Sequence, residues 1–146
     1  MTNIILFICC ALGGFFCGLY LKKRVTQKNA LFADLVKYTV SLQMNVGGKQ
    51  LEMGEFNAEF CTHCSEVFKE ALQQKFPALS ASQKNAVQDF FAHLDCASGD
   101  ALINHLAYYQ KQFESISSET ASEAKKSSLY TKLGLLLGVM LGILFL

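Results

Sequence analysis

The sequence predicts an all-α protein: an antiparallel helical bundle on two terminal membrane helices, with long first and last helices continuing into the anchors. Three observations predict it. Asp, Glu, Lys and Arg are absent from residues 1–21 and 133–146, so every charged side chain lies between Lys22 and Lys132. The charged middle repeats its apolar residues at helical intervals, and no stretch alternates as a half-buried strand would. The Gly47-Gly48 pair and the single proline, Pro77, fall between the periodic stretches.

A charged side chain at the bilayer centre costs roughly 2.5–3.5 kcal/mol, so charge-free termini are what an anchor needs. As a helix, residues 4–21 would rise about 27 Å, close to the roughly 30 Å hydrocarbon core. Residues 133–146 would rise only about 21 Å, and spanning then needs Leu129 and Tyr130, with Lys132 reaching back to the headgroups along its aliphatic stem. A cleaved signal peptide would place its basic residues before the apolar stretch. Here the order is reversed: Lys22, Lys23, Arg24 and Lys28 follow it, and Lys125, Lys126 and Lys132 precede the second apolar segment. These membrane-flanking basic residues put the middle of the chain on the cytoplasmic side and both termini outside. The expected division is an N-terminal transmembrane helix at 1–21, a cytosolic helical-bundle domain at 22–128 and a C-terminal transmembrane helix at 129–146.

The first helix carries Leu31, Leu35, Tyr38 and Leu42 at steps of four, three and four and stops at Gly47-Gly48. One second helix is expected over residues 55–75, with Phe56, Phe60, Cys64, Val67, Phe68, Ala71 and Leu72 on one face and Pro77 ending it. Ser80 or Ser82 caps a third helix, whose stripe is Ala86, Val87, Phe90, Phe91 and Leu94. Ser98 and Gly99 turn the chain into a fourth helix at Asp100, with a seam of Leu102, Leu106, Tyr109, Phe113 and Ile116. The first and fourth helices should pair antiparallel, with the others packed over them. The serine-rich residues 117–124 read as a solvated continuation of the last helix, since no Pro or Gly interrupts them.

The thirteen basic and twelve acidic residues are balanced. Beyond the membrane flanks they leave no footprint for nucleic acid. The six cysteines do not suggest a secreted disulfide framework and read as free thiols. Cys61 and Cys64, with His93 and Cys96, have the two-residue gaps of zinc ligands, which makes a zinc- or thiol-dependent small membrane protein the alternative reading. Against it, Cys64 falls on an apolar stripe, where a free Cys behaves as a small hydrophobe. Gly47-Gly48-Lys49 is not a phosphate loop, because Gln43 and Gln50 stand where Gly and Ser or Thr belong. His105 has no nucleophile at a determined distance. No catalytic, metal or cofactor-binding residue is therefore expected. A stand-alone pore former would leave the amphipathic middle unexplained.

Gly134, Gly138 and Gly142 recur every four residues, and Gly14 and Gly18 repeat the step in the first anchor. Such faces let helix backbones approach closely in lipid. Their partner is left open between the other anchor and another subunit, a second copy included.

Two stretches resemble the stage III sporulation protein AB family of endospore-forming bacteria. One is residues 129–138, where Leu129, Tyr130, Thr131 and Lys132 lead into a Leu/Gly helix; the other is residues 87–100, a helix, a turn and a helix start at Asp100. The order of apolar end, basic cluster, helical middle and apolar end is also similar. The chain differs from the family's pattern in being shorter between Lys75 and Ser82. The resemblance implies a non-enzymatic subunit of a secretion-like channel complex required for endospore formation, in the mother-cell membrane facing the forespore. It implies a cytosolic domain similar to that of the type II secretion platform protein F. It also implies docking to other stage III sporulation channel subunits, a secretion-type ATPase among them.

Overall fold

In a computed structural model, residues 2–49, 51–76, 79–94 and 100–144 are described. They form five α-helices and no strand: α1 (Thr2–Met44), α2 (Met53–Cys61), α3 (Glu66–Leu72), α4 (Ala81–Leu94) and α5 (Asp100–Ile143), with a π-helical turn, Asn45–Lys49, closing α1. The all-α expectation holds. Residues 117–124 are helical within α5. The helices divide into two compact units, one of Met1–Thr26 and Ala121–Leu146, the other of Gln27–Thr120.

The core of the second unit is the set of stripes legible in the sequence. Leu31, Leu35, Tyr38 and Leu42 of α1 are buried, as are Val87, Phe90 and Leu94 of α4 and Leu102, Leu106 and Phe113 of α5. Phe32 of α1, off that stripe, with Phe56 of α2 and Phe68 and Ala71 of α3 complete it, and Phe60, Phe91, Tyr109 and Ile116 pack half-buried against it. Within this unit α1 and α5 are antiparallel: the Phe32 and Phe113 rings stand 6.0 Å apart, and the Thr120 hydroxyl donates to the Asn29 side-chain oxygen at 3.5 Å. Tyr38 is the hub of the aromatic core, with Phe56, Phe60, Phe68, Phe90 and Phe91 around its ring and its hydroxyl donating to Asn57 Oδ1 at 2.7 Å.

The single helix expected over 55–75 is instead two. The chain leaves α2 at Cys61, turns through residues 62–65 and re-enters a helix at Glu66. Ser65 caps α3, its side chain accepting from the Phe68 amide, while its own amide donates to the buried Asp34 carboxylate at 2.8 Å. A carboxylate on α1 thus takes up a donor that a continuous helix would have bonded internally, and the break lets Phe60 and Phe68 both reach Tyr38.

The other boundaries have local causes. Ser80 and Gln83 form a reciprocal capping box at α4: the Gln83 amide donates to Ser80 Oγ, and the Ser80 amide donates to Gln83 Oε1. Asn45 closes α1 by bonding both the carbonyl and the amide of Leu51. α3 ends at Leu72, with the Lys75 amide on the Glu70 carbonyl at 2.9 Å and Gln74 left-handed at φ 60. The expected stop at Pro77 and the turn at Ser98 and Gly99 lie outside the described residues. Since a side chain in the left-handed region costs roughly 1 kcal/mol that glycine avoids, Gln74→Gly is expected to raise stability by about 0.5–1 kcal/mol. Chemical denaturation of the full chain in detergent checks this, and a destabilised variant would contradict the capping geometry.

Candidate functional site: a glycine-faced helix pair

In the first unit the terminal parts of α1 and α5 pack antiparallel, and glycines form the contact. A Cβ built on Gly14 would strike the Gly134 carbonyl and come within 2.9 Å of Gly138 Cα. One on Gly18 would lie 2.6 Å from the Tyr130 carbonyl oxygen, one on Gly138 2.6 Å from that of Cys10, and one on Gly142 2.7 Å from the Phe7 ring. Gly134 meets the backbone of Gly14 and Gly18 in turn. All five glycines singled out in the sequence therefore lie on one seam, and the partner of each face is the other terminal helix. Gly13 has nothing within 4 Å of its Cβ position, so the seam belongs to particular residues and not to glycine in general.

Outside the seam, residues 4–21 and 133–144 of the unit carry no charged side chain and leave apolar faces uncovered. Ile5, Phe16 and Leu19 of α1 and Leu133, Leu137 and Met140 of α5 are exposed. An apolar surface of this kind needs lipid or another protein against it. Among the described residues one helix is long and apolar enough to cross a membrane, Ile4–Gly48 when its π-helical end is counted, with only 6% of its apolar window buried. The described part of α5 beyond Lys132 does not reach that length and apolarity by itself.

The seam's register also orders the charges. Gly18 opposes Tyr130 and Thr131, so one helical turn further along each helix the Lys22, Lys23 and Arg24 cluster comes level with Lys125 and Lys126. Those five side chains are exposed, as is Lys132. Lys28, a turn farther on, is half-buried in the second unit.

The second unit presents an open groove of about 680 Å³ between the end of α1 and α2. Met44, Leu51, Phe56 and Phe60 make its apolar part, and Lys37, Glu59 and His63 line it as well. This groove has no signature in the sequence, since it depends on where the α2 break swings Phe60 and His63.

The zinc reading finds no support. Among the described residues no three His, Cys, Asp or Glu side chains gather to hold a metal, and Cys96 lies outside them. Across the α2–α3 turn the Cys64 thiol donates to the Cys61 carbonyl at 3.6 Å. His93 is instead a neighbour of His105, their rings 5.6 Å apart, and its Nδ1 is 2.8 Å from the Asp89 carbonyl oxygen. His105 lies parallel to Phe90 and 4.7 Å from the Tyr109 ring, with its Nε2 buried and unpartnered, as a packing histidine. Burial, then the Asp89 carboxylate, pushes the Tyr109 phenol up. Gly47 and Gly48 belong to the π-helical turn and are open to solvent; Gln50 lies outside the described residues.

No curated protein and no solved structure matches the chain significantly. The family profile of stage III sporulation protein AB matches residues 52–146, which take in both stretches that carry the resemblance but not the N-terminal apolar segment or the basic cluster after it. With that match covering most of the chain, over helices α2 to α5 and the Gly134, Gly138 and Gly142 face, the protein belongs to the stage III sporulation protein AB family.

Proposed function

We propose that this stage III sporulation protein is a non-enzymatic, membrane-anchored assembly subunit of a secretion-like channel complex required for endospore formation. The observation that carries the reading is the glycine-seamed pair, with exposed apolar side chains on its outer faces and Lys22, Lys23, Arg24, Lys125 and Lys126 at one level. A hairpin of this construction inserts both terminal helices as one body, with the basic level at the cytoplasmic headgroups and both termini outside. The helical unit is then held in the mother-cell cytosol, where its groove and exposed helix faces dock other channel subunits, a secretion-type ATPase among them. Because the glycine faces are consumed within the chain, partners bind to the lipid-facing exterior or to the cytosolic unit.

Topology is tested in a cysteine-free variant with single reporter cysteines. Thr2→Cys is expected to react with an impermeant maleimide from outside, and Ser118→Cys only after permeabilisation. External labelling of Ser118→Cys would overturn the orientation. Recovery of other stage III channel subunits with the full-length protein in mild detergent supports the assembly role, and recovery of the protein alone contradicts it.

A further inference from the structure

Cys61 and Cys64 flank a turn tighter than an α-helical one. The Thr62 amide bonds the Glu59 carbonyl and the His63 amide the Phe60 carbonyl, both across three residues, at 3.2 and 3.1 Å. In such a turn side chains three apart eclipse instead of splaying. The Cys64 thiol folds back on Cys61, donating to its carbonyl at 3.6 Å, and the Cys61 side chain is near enough to act on it electrostatically. Both thiols are partly accessible. Among the described residues no third metal-ligating side chain joins them, and the two thiols stand as a pair.

We propose that Cys61 and Cys64 form a reversible intramolecular disulfide, making the α2–α3 turn a redox-responsive site on the helical unit. The oxidant is a small-molecule disulfide such as oxidised glutathione. Burial first, then the neighbouring Cys61 and the Asp34 carboxylate, pushes the Cys64 thiol up to about 11, so the first attack falls to Cys61. The Cys61 thiolate attacks one oxidant sulfur, the oxidant's S–S bond breaks, and one reduced thiol leaves. The Cys64 thiolate then attacks the Cys61 sulfur of the mixed disulfide and expels the second. The two protein protons end on the two released thiols, two electrons pass to the oxidant, and one S–S bond replaces another. A thiol held in its protonated form gains little from being reduced and ionised, which favours a stable disulfide once formed. In a reducing cytosol the pair stands open, and closure records oxidation. Phe60 and His63, beside and within the turn, line the groove, so closure stiffens that wall.

The test uses the full-length chain in detergent with Cys9, Cys10, Cys17 and Cys96 replaced by Ser. After incubation with oxidised glutathione and acid quenching, maleimide alkylation followed by mass measurement counts free thiols. The expected result is a monomer with no alkylatable thiol and no bound glutathione, reopened by dithiothreitol, with closure favoured at least tenfold over the urea-unfolded chain. Adding Cys64→Ser should instead trap one glutathione on Cys61. Glutathione on both cysteines of the pair, disulfide-linked dimers, two free thiols, or closure no better than in urea would each overturn the proposal. Unchanged helical circular dichroism in each form shows that the native turn was being measured.

Discussion

Gly138→Leu is expected to drive the terminal helices apart. The new side chain begins 2.6 Å from the Cys10 carbonyl oxygen and 3.1 Å from Ala11 Cα, both backbone atoms that no rotamer change can move. Overpacking a well-filled contact costs roughly 1–3 kcal/mol when side chains can adjust, so a clash with backbone stands at or above the top of that range. Spin labels on the exposed Phe16 and Leu136 positions, read by pulsed dipolar spectroscopy in detergent, should report a separation larger by about 2 Å or more as the glycine-faced contact relaxes toward the ordinary 8–10 Å interaxial spacing. Gly13→Leu is the control, since Gly13 faces open space. The two variants should differ sharply although both add the same atoms. Equal separations in both would remove the seam from the account of how the terminal helices pair. Loss of partner subunits with Gly138→Leu at matched expression would show further that assembly needs an intact pair.

Tyr38→Ala should cost the helical unit about 3–5 kcal/mol, the range for removing a large buried aromatic. Tyr38 is 1% exposed, five phenylalanine rings lie within 6.2 Å of its own, and its hydroxyl bonds Asn57. Those rings come from α2, α3 and α4, so the cavity loosens three helices at once. Tyr38→Phe keeps the ring and gives up the bond to Asn57, and its cost should be about 1 kcal/mol. Urea unfolding of the full chain in detergent, followed by circular dichroism, separates the two. A Tyr38→Ala cost near that of Tyr38→Phe would show that the ring packing contributes little.

The glycine result changes the sense of a pattern that the sequence displays openly. A four-residue glycine repeat states that something approaches the backbone closely, and says nothing of what. The same holds for the basic residues: Lys22 and Lys126 are far apart in the chain, and only the antiparallel register brings them to one level. The zinc alternative shows the converse. Cys61, Cys64 and His93 have suggestive local spacing, yet the fold turns His93 toward His105 on α5 and leaves the two thiols to each other.

By itself the sequence determined the helical class, the charge-free ends and most of the core. Leu31, Leu35, Tyr38 and Leu42, like Leu102, Leu106 and Phe113, repeat at a period that local backbone geometry converts directly into one buried face. The tertiary structure alone decided where residues 55–75 break, which side chains frame the groove, and what fills the glycine seam. Asp34 and Ser65 are 31 positions apart, and Gly14 and Gly134 lie at opposite ends of the chain. No local period encodes such contacts, because they exist only once the helices have packed and the buried donors and close backbones have found partners across the fold.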